Sequence, residues 1–581
     1  MTKMIIKGGH VYDPLNGVDG EVMDIYIKDG KIVESLSSDE IKEAKVLDAK
    51  NKVVMAGGVD AHTHIAGPKV TVGRVMFPED HYKCVRPKTH NTHCGTGEIV
   101  PSTYMQGYKY ATMGYTTTFE AAVPPMIARH THEELKALPI LDKAGYLLLG
   151  NNWFVMKYLR EGDIEKAASY VAWALDATKT YGIKCVNPAG VENWAWGKNV
   201  NSLDEKNIHF DVSARQIVDG LAQINEMLGL PMSIHLHANN LGHPGNWEIT
   251  KETMDVTKNI KVNVKDNIYN EVKTKFDSRR KQSVYMTHVQ FHSFGGTSWK
   301  DFESKADDVS KHVNKSDHVV IDSGCVPFGK AICMTGDGPG LYDIATMNGQ
   351  KWTNCDVELE CGSGIVPFTY SIKNKVHSVQ WAIGLELLLL VDPAKAILTT
   401  DNPNAGPFTK YPKIMKWLLS NKARQDTMNE CHKWASERST LASIDKELSL
   451  YELAQITRST PAIAIGMGYR KGHLGAGADA DITIYDITPD YNSNDYEMLE
   501  KVFTTTAYTI KDGQIVSKGN EIVETPSGRS FFANVQMKEE IQKPVMDDVK
   551  DFFKYYTVGF NNYSTPDEYL TRPTPMDIDL K

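Results

Sequence analysis

No two cysteines in this 581-residue chain stand in a C-x-x-C arrangement. The eight present (Cys84, Cys94, Cys185, Cys325, Cys333, Cys355, Cys361 and Cys431) are scattered. That argues for a reducing compartment, and against an iron–sulfur cluster or a redox centre bound by this chain alone. A basic surplus is missing too: the net charge is −9 and the isoelectric point near 6.1. Nothing therefore points to nucleic acid or an anionic membrane as partner. Long apolar runs are also lacking. The most apolar segment, Trp381 to Val391, is too short to span a bilayer and carries Glu386. The opening M-T-K-M-I-I-K-G-G-H-V-Y-D has neither the apolar run nor the cleavage site of a signal peptide, so a cytoplasmic protein is expected. With 24% charged and 41% hydrophobic residues the composition is that of a soluble globular protein. It is too long for one simple core.

Residues 1–55 alternate apolar and polar and are punctuated by D-P-L-N-G, V-D-G and K-D-G, which read as β-hairpins. I-K-D-G-K-I-V-E at 27–34 returns as I-K-D-G-Q-I-V-S at 510–517, and G-A-D-A-D-I-T-I-Y-D at 477–486 is another strand. The two distant segments are expected to pair into one small β-sandwich domain built from both chain ends, 1–55 and 466–520. Between them, strand candidates at 53–59, 114–119, 146–149, 182–186, 232–236, 284–289, 318–322 and 396–400 alternate with helices such as 164–180 and 213–228. Eight strands separated by helices predict an α/β fold with a (β/α)8 barrel over 56–465. The stretch 410–465 reads as helical. The tail, 521–581, is rich in Pro, Asp, Tyr and Lys and reads as an irregular C-terminal extension over the surface or a partner.

A barrel of this kind carries its chemistry at the C-terminal ends of its strands, and five stretches meet that condition. V-V-M-A-G-G-V-D-A-H-T-H ends in His62 and His64, whose side chains, two apart on a strand, face one way. G-I-K-C-V-N-P-A-G holds Lys184 within a strand. S-I-H-L-H-A-N-N offers His235 and His237, of which His237 is preferred because it leads into the polar loop. Y-M-T-H-V-Q-F-H brings His288 and then His292, and A-I-L-T-T-D-N-P brings Asp401. The intervals between them fit βα repeats and place the set on strands 1, 4, 5, 6 and 8.

Imidazoles and a carboxylate suit a pair of Zn²⁺ ions, which a cationic Lys184 would repel. Addition of CO₂ to the amine turns the lysine into an anionic carbamate (N6-carboxylysine) whose two oxygens can bridge both metals. The expected metal ligands are therefore His62, His64, Lys184, His237, His288 and Asp401. Asp401 is in addition the expected catalytic proton carrier. Asn239, Gln290 and His292 follow ligands on the same loops and are candidates for gripping substrate.

Taken singly, each residue has an ordinary explanation: a snorkelling lysine, a packed histidine, an Asx turn at T-T-D-N-P. Five correctly ordered hits in one barrel do not. A-R-H-T-H-E-E (128–134) also holds an H-x-H, but it follows two prolines and reads as a helix start. The stretch 81–94, H-Y-K-C-V-R-P-K-T-H-N-T-H-C, matches no standard metal-finger spacing.

D-x-H-x-H on strand 1, a strand-4 lysine, two single histidines and a strand-8 aspartate resemble the dinuclear, hydantoinase-like branch of the amidohydrolase superfamily. Longer strings narrow this: G-N-N-W-F-V-M-K-Y-L (150–159), S-I-H-L-H-A-N-N-L-G-H-P-G-N (233–246), T-H-V-Q-F-H-S-F-G-G-T (287–297), N-C-D-V-E-L-E-C-G-S-G (354–364) and D-N-P-N-A-G-P-F-T-K-Y-P (401–412). They are similar to the A-subunit family of formylmethanofuran dehydrogenases, essentially end to end. The resemblance implies membership of a large cytoplasmic archaeal complex. In it, a tungsten- or molybdenum-pterin partner with an iron–sulfur cluster reduces CO₂ to formate. This chain then condenses formate with the amine of methanofuran to N-formylmethanofuran, or hydrolyses that amide in reverse. The rival expectations are a free-standing hydantoinase- or dihydropyrimidinase-like cyclic amidase, the hydrolytic subunit of a bacterial formyltransferase/hydrolase complex, and a metal-free scaffold.

Overall fold

The computed structural model describes residues 3–195, 198–269, 271–335, 338–355, 363–555 and 559–580. Most of the 354–364 string, Cys361 included, lies outside them.

Eight strands run parallel: Gly58–Thr63 (β1), Tyr115–Val123 (β2), Asp142–Leu148 (β3), Gly182–Val186 (β4), Ile234–His237 (β5), Val284–Met286 (β6), Val319–Asp322 (β7) and Ala396–Ile397 (β8). Each pairs with the next in chain order, and a parallel bridge from Thr63 to Asn402 ties first to last. The strands are short and buried on both faces, as a barrel wrapped in helices requires. Phe119, Tyr146, Tyr181 and Tyr285 help fill the interior, and the Tyr146 hydroxyl donates to Ala61 O across it at 2.8 Å. The helices expected at 164–180 and 213–228 form as Ile164–Thr178 and Ala214–Leu228. The second begins with a Ser213/Gln216 capping box and ends at Gly229 in the left-handed region.

The expected strand 53–59 is two strands. Val53–Ala56 belongs to a separate sheet and β1 to the barrel, with the break at Gly57. A Cβ on Gly57 would lie 2.3 Å from Thr116 Oγ1, so only glycine lets the chain pass from one sheet to the other here. The separate sheet has nine strands drawn from both chain ends. Lys3–Asp13, Val18–Lys28, Lys31–Val33, Lys45–Asp48 and Val53–Ala56 come from the first. Ile482–Tyr485, Tyr508–Lys511, Gln514–Lys518 and Glu521–Ile522 come from the second, joined where Val53–Ala56 pairs antiparallel with Ile482–Tyr485. The two matching K-D-G turns meet here. Asp29-Gly30 and Asp512-Gly513 all adopt positive φ, and a Cβ on Gly30 would touch Asp512 O at 3.2 Å.

The C-terminal extension is more ordered than its composition suggested. Ser530–Gln536 (β9) and Pro573–Asp579 (β10) pair in parallel, and β9 meets β3 through Ser530 and Lys143. The helix Glu539–Phe552 lies between them in sequence, and Phe552 packs on Trp153 and Phe154. Phe560 stacks on Trp173. At the N-terminal end of β3, Asp142 sits among Lys471, Lys511 and Arg529, which also bond Asp479, Asp481 and Asp512. Asp142, Asp479 and Asp481 are close enough to chelate a cation, but lysine and arginine side chains already occupy the space between them. This buried network joins barrel, flanking sheet and C-terminal extension at the end of the barrel away from the histidines.

Candidate active site

The six expected ligands converge at the C-terminal end of the barrel. His62 lies on β1 with His64 one step beyond it, Lys184 on β4, His237 at the end of β5, His288 two residues past β6 and Asp401 past β8. All are buried. His62 Nε2 is 3.0 Å and His64 Nε2 3.3 Å from Asp401 Oδ1, while His237 Nδ1 is 3.1 Å from His288 Nε2. Two ligands bound tetrahedrally at ~2.0–2.1 Å from one metal lie about 3.3 Å apart. Both sets of donors are close enough to share a metal, and His288, whose ring lies 5.5 Å from that of His62, stands near each of them.

His235 also faces the interior, one step deeper than His237. Its Nδ1 lies 2.9 Å from Lys184 Nζ, its register neighbour on β4, and its ring packs against Tyr146 and Tyr285. Asn239 and Gln290 serve the loops. Asn239 Nδ2 donates to Asn187 Oδ1 and Pro188 O, and Gln290 Oε1 accepts from the Val326 amide. His292 makes no hydrogen bond through either ring nitrogen. The helical H-x-H, His130 and His132, lies inside the helix Ala128–Ala137, where His132 Nε2 meets Thr178 O at 2.9 Å. The stretch 81–94 runs from the short helix Asp80–Lys83 through a two-residue hairpin strand into a loop, held to the flanking sheet's end by Arg86 and Asn91. Among the described residues it brings no three ligands together.

Several site residues were not expected. Asp322, closing β7, accepts the His288 amide at 2.7 Å and meets His62 Nδ1 at 2.8 Å. Glu120 on β2 meets His64 Nδ1 at 3.1 Å and accepts from the Ile65 and Ala66 amides. Asp60 accepts hydroxyl bonds from Tyr110 and Tyr411, at 2.7 and 2.6 Å, and bonds the His62 amide. V-V-I-D at 319–322, an apolar run ending in a carboxylate, was the available signal for Asp322. A carboxylate on the outer nitrogen of each β1 histidine fixes the orientation of the ring, so that Nε2 faces the centre.

The chain is strained at the ligands. His288 (φ 36°) and Asp401 (φ 48°) both adopt the left-handed region, which non-glycine residues rarely enter. The Asp322 carboxylate on the His288 amide and Thr399 Oγ1 on the Asp401 amide, at 2.6 Å, hold these turns. Charge is equally deliberate. Burial opposes ionisation of Asp401, yet His62 and His64 hold its carboxyl well below the usual range. Burial lowers His62, but Asp322 and Asp401 together push it up to about 9. Burial pushes the Lys184 amine down to about 8, and it keeps His235, His288 and His292 well below the usual imidazole value, hence neutral and able to ligate. No helix among the described residues is long and apolar enough to cross a membrane.

Residues 45–517 match the model of the amidohydrolase family. Protein FwdA of Methanocaldococcus jannaschii is 52% identical over 577 residues, covering 99% of both chains. A subunit of the formyltransferase/hydrolase complex Fhc of Methylorubrum extorquens is 33% identical over 574 residues, 97% of this chain and 96% of that one. Among solved structures, the crystal structure of the FhcABCD complex from Methylorubrum extorquens with methylofuran superposes with a TM-score of 0.86 at 31% identity, covering the whole of both chains. With its eight-stranded barrel, flanking sheet and convergent histidines, the chain belongs to the amidohydrolase family, in the group that holds FwdA and its counterpart in the Fhc complex.

Proposed function

We propose that this chain is the dizinc amidohydrolase subunit of a cytoplasmic formylmethanofuran dehydrogenase, condensing formate with the primary amine of methanofuran and hydrolysing the amide in reverse. The carrying observation is the 3.0–3.3 Å spacing of two donor groups, His62/His64/Asp401 and His237/His288, around one centre. The likeness to FwdA over nearly the full length supports it. The Lys184 amine would add to CO₂ in its neutral form, forming an N–C bond and releasing a proton, and as a carbamate it would help the histidines and Asp401 hold the metals. When bound, the metals polarise the formyl oxygen and bring the pKa of water down to ~7. Asp401 takes the proton of the attacking water and delivers it to the amide nitrogen, which leaves only as the protonated amine. In condensation it runs the same transfer backwards. Asp322 and Glu120 keep the β1 histidines in register throughout.

Amide formation from formate is uphill in water, so formate is delivered from a pterin-containing redox partner through an internal passage rather than through bulk solvent. Conversion of labelled CO₂ to formylmethanofuran only after full exchange with unlabelled external formate would refute that route.

The function is tested by elemental analysis and turnover of the purified complex. Two zinc ions per chain and hydrolysis of N-formylmethanofuran are expected. Turnover of hydantoins or dihydropyrimidines without formylmethanofuran turnover would make it a cyclic amidase instead. The full-length likeness to the FhcABCD structure favours one second reading, a purely hydrolytic role. Copurification of a pterin-dependent redox subunit decides against it.

A further inference from the structure

Beyond the expected six ligands, His292 stands apart. It is fully buried, and both its ring nitrogens lack a hydrogen-bond partner. Buried polar atoms nearly always have a partner, so one imidazole with two orphaned nitrogens asks what they serve. Pure packing does not need an imidazole, since an apolar ring would fill the same space without desolvating two nitrogens. Substrate contact fits poorly as well. His292 is 0% exposed, whereas His64 and Asp401, though buried too, keep 7% and 6% of their surface accessible.

Its surroundings supply an answer. One ring nitrogen each of His237, His288 and His292 lie within 4.8 Å of one another. The His292 ring stacks at 5.2 Å and 26° on His288 and stands edge-on at 5.6 Å to His237. The backbone is built to bring it there. After the left-handed turn at His288, the single 3-10 turn Val289–His292 carries the chain back beneath His288. It is pinned by Phe291 N to His288 O, Gln290 N to Ser323 O and the Gln290 side chain to the Val326 amide. The strained φ of His288 thus places two imidazoles, rather than one, on the same side of the site.

We propose that His292 is a metal ligand, forming with His237 and His288 a three-imidazole position for the second metal. This rests on the dinuclear reading above and alters it. The second metal has three neutral nitrogen donors in addition to the carbamate, while the first has two imidazoles and a carboxylate. The side chains then contribute more donors to the second position than to the first, which leaves the exchangeable coordination site to the metal beside Asp401.

The test is His292→Cys in the intact complex, loaded with Co²⁺, together with His292→Ala and a control, His132→Ala, at a buried histidine away from the site. A thiolate-to-cobalt charge-transfer band in His292→Cys is expected. Competition with a chelator should show His292→Ala binding one metal as the wild type does and the other at least tenfold more weakly, with His132→Ala unchanged. A His292→Cys protein that holds two cobalt ions without the band overturns the assignment, as does His292→Ala with both affinities intact. If the wild type itself binds only one metal tightly, the dinuclear reading fails and this one with it.

Discussion

Asp322 and His62, 260 residues apart in sequence, meet at 2.8 Å, and the other oxygen of the same carboxylate accepts the amide of His288. One side chain therefore orients a ligand of each proposed metal position.

Its replacement has a distinctive outcome. In Asp322→Asn the amide oxygen is held by the His288 amide, so the NH₂ turns to His62 Nδ1. The imidazole must then carry its proton on Nε2, the nitrogen facing the metals. Metal affinity should fall about 10–100-fold, the usual effect of losing such a partner, in a protein that remains folded. Chelator competition checks it, and wild-type affinity in the variant would show that Asp322 only braces the loop.

Asp401→Asn keeps an oxygen ligand but can neither accept nor return a proton. Metal content should stay near that of the wild type while amide hydrolysis and condensation both fall ~10²–10⁴-fold, with the CO₂/formate chemistry of the proposed redox partner intact. A variant that keeps more than about a tenth of the wild-type hydrolysis rate would refute the proton-carrier role.

Lys184→Ala should lose activity and bridged metal, and short carboxylic acids should restore part of both by taking the place of the carbamate. An active Lys184→Met protein with full metal content would make the lysine structural.

His132 carries a pH dependence remote from the metals. Burial holds it down at about 4 from 6.5, so the unfolded chain binds the extra proton between those values. Its contribution is complete above pH 6.5 and is lost as pH falls towards 4, amounting to about 2 kcal/mol by pH 5. Denaturation midpoints at pH 7.5 and pH 5 should differ less in His132→Gln than in the wild type. Equal differences would contradict the assignment.

Lys471→Met leaves Asp142, Asp479 and Asp481 short of a buried cation. Removing one partner from such a network costs ~3–5 kcal/mol, and the C-terminal extension, tied to the same cluster through Arg529, should become sensitive to limited proteolysis. An unchanged digestion pattern would mean that β9 and β10 are held by packing alone.

The barrel and the cluster of polar side chains at its C-terminal end were legible in the sequence because each strand is a short apolar run that ends abruptly in a polar residue. His62 and His64, Lys184, His237, His288 and Asp401 are all brought together. Asp322 ends a strand in the same way but, as a lone carboxylate, carried no partner in its own stretch of sequence. Glu120 and Asp60 were hidden for the same reason, since what makes them matter is a contact across the barrel. The split of 53–59 at Gly57 turns on Thr116, and the order of the C-terminal extension turns on Ser530 finding Lys143. Local pattern does not encode such long-range meetings.

The strand that leads into His62 and His64 also has a history in time. Val53–Ala56 is made early, yet its neighbour Ile482–Tyr485 follows about 430 residues later. At ~5–20 residues per second, the ribosome leaves that apolar edge unpaired for roughly 20–90 seconds. Asp401 is made within the same interval. The nascent chain must therefore shield Val53, Val54 and Met55 from neighbours while the cluster of His62, His64 and Asp401 is still incomplete, until the two ends of the chain close the sheet.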